Sequence, residues 1–433
     1  MAHHTTPGFR DVIVVGAGPS GLLMALFLAR SNIPVTVIEM SPELDKGARA
    51  THYAAPAMWE LNRAGVGAEM RSRGFIPGGV CWRKLDGSMI VELDGNNVGE
   101  DPDRLTCLPL SQLQLLLRES LAQYKTAKIL FDYKVTGVGQ NEERAWVDVE
   151  TPSGEKRLEA DYIVGCDGAN SQVRRSLFGD WEFPGRTWNE QIVATNVNDL
   201  TYYDFDQFKW KDANFIVDPE HWFMAARISK DGLWRVTYGE KSGFTMDELR
   251  ERLPGKFKAM LPGHPEPNEY KIANFAPYKV HQRLAKSMRV GRFLLAADAA
   301  HLCNPFGGLG LTGGIVDVGN LYDCLRGIYE NKADESILDK YNEVRRKVYL
   351  EIIDVVSSSN LRRLFELDPD RAVEDDEFFK LAKKAESDAE FSKTLQNGVR
   401  AIQHDFTQYY NTTAKSSIFQ VHTPAVAVAP QAE

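Results

Sequence analysis

Asp11-Val-Ile-Val-Val15-Gly16-Ala-Gly18-Pro19-Ser20-Gly21 is the stretch whose reading decides the fold, together with the apolar run Leu22 to Ser31 and the segment Ile33 to Met40 that follow it. Val12 to Val15 is a short β-branched run, the signature of a parallel strand buried on both faces. The apolar stretch Val12 to Ala29 is broken at its middle by Gly16, Gly18, Pro19, Ser20 and Gly21, which no bilayer span would tolerate and which a strand–turn–helix requires. Ile33 to Met40 reads as a second strand, so the start of the chain is a βαβ unit of about thirty residues. Gly16 permits a tight turn, Gly18 lets a pyrophosphate approach the backbone, and Gly21 allows close helix–strand packing. Pro19 and Ser20 open the helix, whose free N–H groups suit phosphate oxygens. Glu39, at the second strand's end beside Met40, can accept hydrogen bonds from ribose hydroxyls.

Two later segments repeat the buried-strand pattern and end in a carboxylate: Asp161-Tyr-Ile-Val-Gly-Cys-Asp167-Gly-Ala-Asn-Ser171-Gln-Val-Arg174, and Gly291-Arg-Phe-Leu-Leu-Ala-Ala-Asp298-Ala-Ala-His301. The second leads into Pro305-Phe306-Gly307-Gly308-Leu-Gly310-Leu311-Thr312-Gly-Gly314 and a helix near Ile315 to Tyr329. In order and spacing these three motifs resemble those of the single-component FAD-dependent aromatic hydroxylases, the flavoprotein monooxygenases of para-hydroxybenzoate hydroxylase type. The likeness spans roughly Asp11 to Leu325.

The resemblance implies an α/β protein: a Rossmann-like FAD-binding domain with an inserted antiparallel-sheet substrate domain and C-terminal helices. It implies that Asp298 bonds a ribityl hydroxyl of FAD, and that Pro305, Gly308, Gly310, Leu311 and Thr312 lie against the flavin at a helix N-terminus. Backbone N–H donors and the helix dipole there would stabilise anionic reduced flavin. Arg49 and Ala50, in Gly47-Ala-Arg-Ala50, and Gln112 occupy places where the family contacts phosphate, ribose or the flavin edge. Asp167 stands between FAD and NADPH binding. The reaction implied is insertion of one oxygen atom of O2 into an aromatic substrate through a flavin C4a-hydroperoxide, with NADPH or NADH as donor. Two positions depart from the family pattern: Ala297 precedes Asp298 where a glycine is usual, a change of little bulk, and Thr312 stands where many members have Asn.

At 433 residues the chain suggests two or three units. The motifs divide it into a discontinuous FAD-binding domain (8–75, 104–180, 279–335), a substrate-binding sheet domain (76–103, 181–278), a C-terminal helical segment (336–420) and a loose tail (421–433). Leu110 to Tyr124 has helical spacing, Ser336 to Phe365 reads as one long helix, and Asp375 to Gln408 is mostly helical. The net charge of −9 argues against nucleic acid or an anionic membrane as partner. Cys81, Cys107, Cys166, Cys303 and Cys324 are odd in number and lack CxxC spacing, so neither a disulfide framework nor a metal site is suggested. Met1 to Phe9 lacks an apolar core of signal-peptide length, and the expectation is a cytoplasmic monomer or homodimer.

Aromatic residues become dense between Trp181 and Tyr278, in strand-like stretches separated by polar turns. His221 to Arg227 and Leu233 to Tyr238 look like paired strands, with Trp222, Met224 and Ala226 on one face and Phe223, Ala225 and Arg227 on the other. The substrate pocket is expected around Trp222, Phe223, Met224, Pro305, Phe306 and Gly307, which suits a phenol, an indole or a polycyclic compound. Arg235, Arg227, His221 and Tyr238 are candidates for binding or proton transfer, and His301 reads as structural. HExxH and GxSxG are absent, which leaves hydrolase and metalloprotease readings unsupported. A Baeyer–Villiger oxygenase, epoxidase or flavin oxidase on the same scaffold, and a non-catalytic nucleotide-binding regulator, stay open as alternatives.

Overall fold

The computed structural model describes residues 7–47, 51–198 and 205–411. Arg49, Ala50 and the tail 421–433 lie outside the described residues. A six-stranded sheet runs in the order Arg289–Val290, Phe293–Leu295, Tyr162–Gly165, Val12–Val15, Val35–Ile38, Ala127–Leu130. All neighbours are parallel except the first pair. Its central strands are continuous runs of Val, Ile and Leu because both faces are covered, and Val12–Val15 and Tyr162–Gly165 are buried throughout. The helix Pro19–Arg30 is apolar all round for the same reason. It lies between the sheet and the helices Leu110–Leu121 and Leu309–Tyr329, with Leu22 to Ala29 all buried.

The second large sheet has eight strands in the order His301–Leu302, Lys271–Leu284, Gly185–Asn198, Leu233–Lys241, Phe223–Arg227, Ala213–Val217, Gly79–Lys84, Met89–Asp94. Phe223–Arg227 and Leu233–Lys241 pair antiparallel, with Phe223 opposite Tyr238. One face packs on the helix Met246–Met260 around Val193, Trp234, Val236 and Phe257. The other meets Phe306 and the helices Asp354–Phe365 and Glu377–Ala385. Strand His301–Leu302 joins the two halves, because it pairs with Leu284 and Arg283 directly after the loop that carries Asp298.

Two helices differ from the sequence expectation. The helix after the third motif begins at Leu309 rather than near Ile315, because Gly308 takes a left-handed conformation (φ 61°) that sets the first turn. The segment expected as one helix over 336–365 is Ser336–Val348, a π-turn Tyr349–Ile353, and Asp354–Phe365. The inserted turn aims two buried residues at the site: the Tyr349 hydroxyl donates to the Leu302 carbonyl (2.8 Å), and Ile353 fills the space beside Gly313. Among the described residues no helix is long and apolar enough to cross a membrane.

Candidate active site

The parallel register sets Val15 beside Gly165, and Gly165 beside Leu295, so the three motifs leave the sheet together at its carboxyl edge. Gly16 (φ 101°) passes so close to its neighbour that a Cβ would lie 2.6 Å from the Cys166 carbonyl oxygen. Gly21 packs against Gly16. Gly18 is the opposite case: a Cβ there would meet no protein atom within 4 Å. It caps the helix Pro19–Arg30 without a side-chain hydrogen bond, leaving the first N–H groups aimed into the open cradle. Pro19 is half-buried and Ser20 buried. The Glu39 carboxylate accepts from the Ala17 N–H (2.8 Å) and the Ser41 N–H (2.9 Å), so it shapes the turn it adjoins. Met40 is exposed beside it, and Gln112 is exposed in the first turn of the helix Leu110–Leu121.

Asp167 accepts from the Ser171 hydroxyl (2.6 Å) and the Val173 N–H (3.1 Å), and burial pushes its carboxyl up. The same motif supplies Arg174, which is buried and lies 3.7 Å over the Phe183 ring. Its guanidinium donates to the carbonyls of Ala169 and Ala299, and burial lowers it to about 10. Asp298 is exposed, although Phe293 to Ala297 and Ala299 to Ala300 are all buried. Its carboxylate therefore sits at the mouth of the sheet edge.

Ala297 corrects the reading of the departure at this position. Its φ is 56°, in the left-handed region, so the glycine usual there answers a backbone demand and not only one of bulk. The strained peptide is held by a buried network. The Ala297 N–H donates to Asp317 (3.0 Å), and Asp317 also bonds His301 Nε2 (2.6 Å) and Arg345 Nε (2.7 Å). Burial alone would raise the Asp317 carboxyl, but His301 and Arg345 hold it below the ordinary range. His301 is thus tied into this network, in line with its reading as a structural residue. Gly308, Gly310, Leu311 and Thr312 form the first turn of the helix that faces Asp298, and the Thr312 hydroxyl is buried without a partner. The open cradle at Gly18, the exposed Asp298 and the orphaned Thr312 Oγ1 together fit a dinucleotide lying along the sheet edge with its ring system at the helix start.

The substrate side follows from register, since residues paired across antiparallel strands share a face. Asn196 pairs with Arg235, Ala194 with Thr237, Ile192 with Gly239 and Tyr278, and Met224 with Thr237 and Phe215. Ala194, Ala276, Thr237 and Gly239 make a floor of small side chains in mid-sheet. Ala194 and Ala276 are only half-buried despite that central position, so the floor is recessed. Trp222 lies over Gly239 and meets Phe306 (5.4 Å) and Phe365 (5.4 Å), closing the end next to Pro305 and Gly307. Met224, Arg235 and Tyr278 stand around the floor, with Arg235 Nε donating to Asn196 (3.0 Å). His52, on the strand His52–Tyr53, faces Arg235 from above.

Four expected residues are corrected by this geometry. Tyr238 and Phe223 point the other way, into the core beneath the helix Met246–Met260, where Tyr238 meets Phe257 at 6.1 Å. Arg227 closes a turn, donating to the carbonyls of Ser229 and Lys230, with its guanidinium over Phe75. His221 precedes its strand and is fixed through its backbone N–H to Asp218; it does not join Arg235. Residues the sequence reading passed over are His52, Asn196, Ala194, Ala276 and Tyr278. Each is ordinary alone: the pairing register gathers the four sheet residues, and His52 comes from the separate ribbon it forms with Cys107.

Residues 10–356 match the family described as FAD binding domain. The chain is 37% identical over 373 residues to para-nitrophenol 4-monooxygenase of Pseudomonas sp. (strain WBC-3), covering 86% of this chain and 91% of that protein. It is 34% identical over 362 residues to 6-hydroxy-3-succinoylpyridine 3-monooxygenase HspB of Pseudomonas putida (strain DSM 28022 / S16), covering 83% and 90%. The fold matches the crystal structure of p-nitrophenol 4-monooxygenase PnpA from Pseudomonas putida DLL-E4 with a TM-score of 0.85 at 33% identity, over 91% of this chain and 98% of that one. The chain belongs to the FAD binding domain family of single-component aromatic hydroxylases, FAD-dependent monooxygenases with NAD(P)H as electron donor.

Proposed function

We propose that the chain oxygenates a monocyclic phenol at the ring carbon opposite its hydroxyl, where that carbon already carries a substituent. The observation that carries this reading is the likeness to two enzymes over about nine-tenths of their length. Their names place oxygenation at position 4 of para-nitrophenol and at position 3 of 6-hydroxy-3-succinoylpyridine. In both, the position lies across the ring from the hydroxyl and bears a substituent. The recess over Ala194, Ala276 and Thr237, bounded by Tyr278, Arg235, Met224 and Phe306, suits one ring with a polar end.

In this reading the turn Gly16 to Gly21 holds the FAD pyrophosphate, Glu39 the adenosine ribose, Asp298 a ribityl hydroxyl, and the turn Gly308 to Thr312 the pyrimidine end. FAD, when bound, supplies the activation of O2 and the transfer of one oxygen atom. The protein's part is to orient the ring on the sheet and to exclude water, which Trp222, Phe306 and Phe365 do at the flavin end. The units 8–75, 104–180 and 279–335 serve the cofactor and 76–103 and 181–278 the substrate, while in the segment 336–420 the helices Asp354–Phe365 and Glu377–Ala385 cover the face of the sheet that carries Trp222 and Met224. The free thiols, four of the five buried, support a reducing, cytoplasmic setting, in which we place the chain as a monomer or homodimer.

The test is a panel of para-substituted phenols, indoles and polycyclic phenols added to the holoenzyme. NADPH and NADH oxidation is followed, and the product is identified by mass. Stimulation by the monocyclic phenols with loss of the para substituent supports the proposal. Stimulation only by indoles or polycyclic compounds overturns it.

A further inference from the structure

Resting on the phenol reading above, we propose that His52 Nε2 accepts the proton of the substrate's ring hydroxyl, and that Arg235 and Tyr278 hold the phenolate so formed. His52 pairs with Cys107 across the two-stranded ribbon His52–Tyr53 and Thr106–Cys107, so both side chains leave it on the same side. His52 Nδ1 lies 2.9 Å from the Thr51 hydroxyl, while Nε2 is buried and has no partner. In the proposed tautomer the hydrogen is on Nδ1, the nitrogen beside Thr51. The Cys107 thiol points its proton at the carbonyls of Arg227 (3.7 Å) and Ile228 (3.6 Å), and the Thr51 hydroxyl tempers the rise that burial gives this thiol, as a donor beside the sulfur would. Thr51 then gives its own proton to Sγ and receives Nδ1–H on its oxygen. This leaves the lone pair on Nε2, turned to the recess.

The electrostatics agree with that assignment. Burial, and then the Arg235 charge, push the His52 imidazole down to about 4, so it rests neutral and able to accept. Tyr278 is 39% exposed, yet burial pushes its hydroxyl up to about 12. A hydroxyl both accessible and desolvated lines a recess rather than the outer surface, and it stays protonated as a donor. Arg235 on the sheet is the charge that acts on His52, Tyr278 and Cys107 act in turn on Arg235, Cys107 is paired with His52 across the ribbon, and Asp212 and Arg227 lie behind Cys107. No carboxylate among these reaches the recess. A bound phenol completes the charge balance: its O–H bond breaks, the proton passes to Nε2, and the electron pair stays on the oxygen. One anion then lies between imidazolium and guanidinium.

Para-nitrophenol is the probe, because its phenolate is yellow and its neutral form is not. It is added to the flavin-loaded wild type and to His52→Gln, with FAD left oxidised and no NAD(P)H present. Expected for the wild type is the yellow form at pH values below the free probe's pKa, without proton release to the buffer. In His52→Gln the bound probe should ionise about one pH unit or more higher, with flavin content unchanged. His52→Asn, titrated in the same way, guards against a loading defect in the first variant and should show the same shift. Equal ionisation of the bound probe in wild type and variants overturns the role of His52 and leaves the phenol reading standing. Failure of the wild type to bind the probe overturns the phenol reading, and this inference with it.

Discussion

The Arg174 guanidinium donates through Nη1 to the Ala299 carbonyl oxygen at 3.0 Å, tying the middle motif to the residue that follows Asp298. The same side chain reaches Ala169 and covers Phe183, so one buried cation fixes two of the three loops at the cofactor edge. Arg174→Met leaves two carbonyls without their donor, at a cost of about 2–4 kcal/mol. Melting temperature should fall and FAD should dissociate more readily, measured on the apo and loaded forms. An unchanged FAD affinity would separate the two loops functionally.

Gly18→Val and Asp298→Ala distinguish a steric from a polar contribution. A Cβ at Gly18 meets no protein atom, so the valine variant should fold with an apoprotein melting temperature within about 1 °C per few tenths of a kcal/mol of the parent. It should nevertheless fail to retain FAD. Asp298→Ala should purify largely colourless. Flavin absorbance per chain checks both, and a fully flavinated Asp298→Ala would contradict the role given to that carboxylate.

Ala297 sits at φ 56° and is anchored by Asp317. Glycine there should be tolerated, since relief of strain offsets the greater freedom of the unfolded chain to within about 1 kcal/mol. Valine should cost at least about 2 kcal/mol, because a β-branched residue in that region is a steric outlier. It should also lower FAD affinity by displacing Asp298. Denaturant unfolding gives the order Gly and Ala above Val; valine matching alanine would remove the strain argument.

Glu60 is buried against Gly319, and its salt-bridge partner Arg63 (2.9 Å) also serves Asp323. Burial raises the Glu60 carboxyl to about 8, with Arg63 opposing and Asp323 adding to the rise. A folded-state value above the unfolded one means that the native state binds the extra proton between roughly pH 4.5 and 8. Stability from this group is therefore full below the unfolded value and is lost as pH rises through about 8. Glu60→Gln should flatten the decline between pH 5 and 9 in melting temperature. A parallel decline in the variant would assign the slope to another group.

The glycine turn was readable because its sterics are local: Gly16, Gly18 and Gly21 act within six residues, and the strand and helix that flank them follow from composition. The same holds for Asp298 at a strand end. Ala297 was legible as a departure but not as a strained one, because its φ is set by Asp317, twenty residues on, and by the strand beside it. Alternation sorted Trp222 and Met224 from Phe223 correctly, yet could not say which face met the cofactor. Only the helix Met246–Met260, packed on Phe223 and Tyr238, decides that. Tyr278 and Asn196 carry no local signal at all, since they meet through the pairing of strands distant in sequence, and His52 comes to them from a separate ribbon formed with Cys107.

The central claim is that Gly16 to Gly21, Asp167 to Arg174 and Ala297 to Thr312 form one FAD site. Amide hydrogen exchange of the apoprotein with and without FAD measures it directly. Protection should rise in all three segments at the same FAD concentration, with one flavin bound per chain. Protection confined to the stretch from Gly16 to Glu39, with the other two segments exchanging as before, would contradict it.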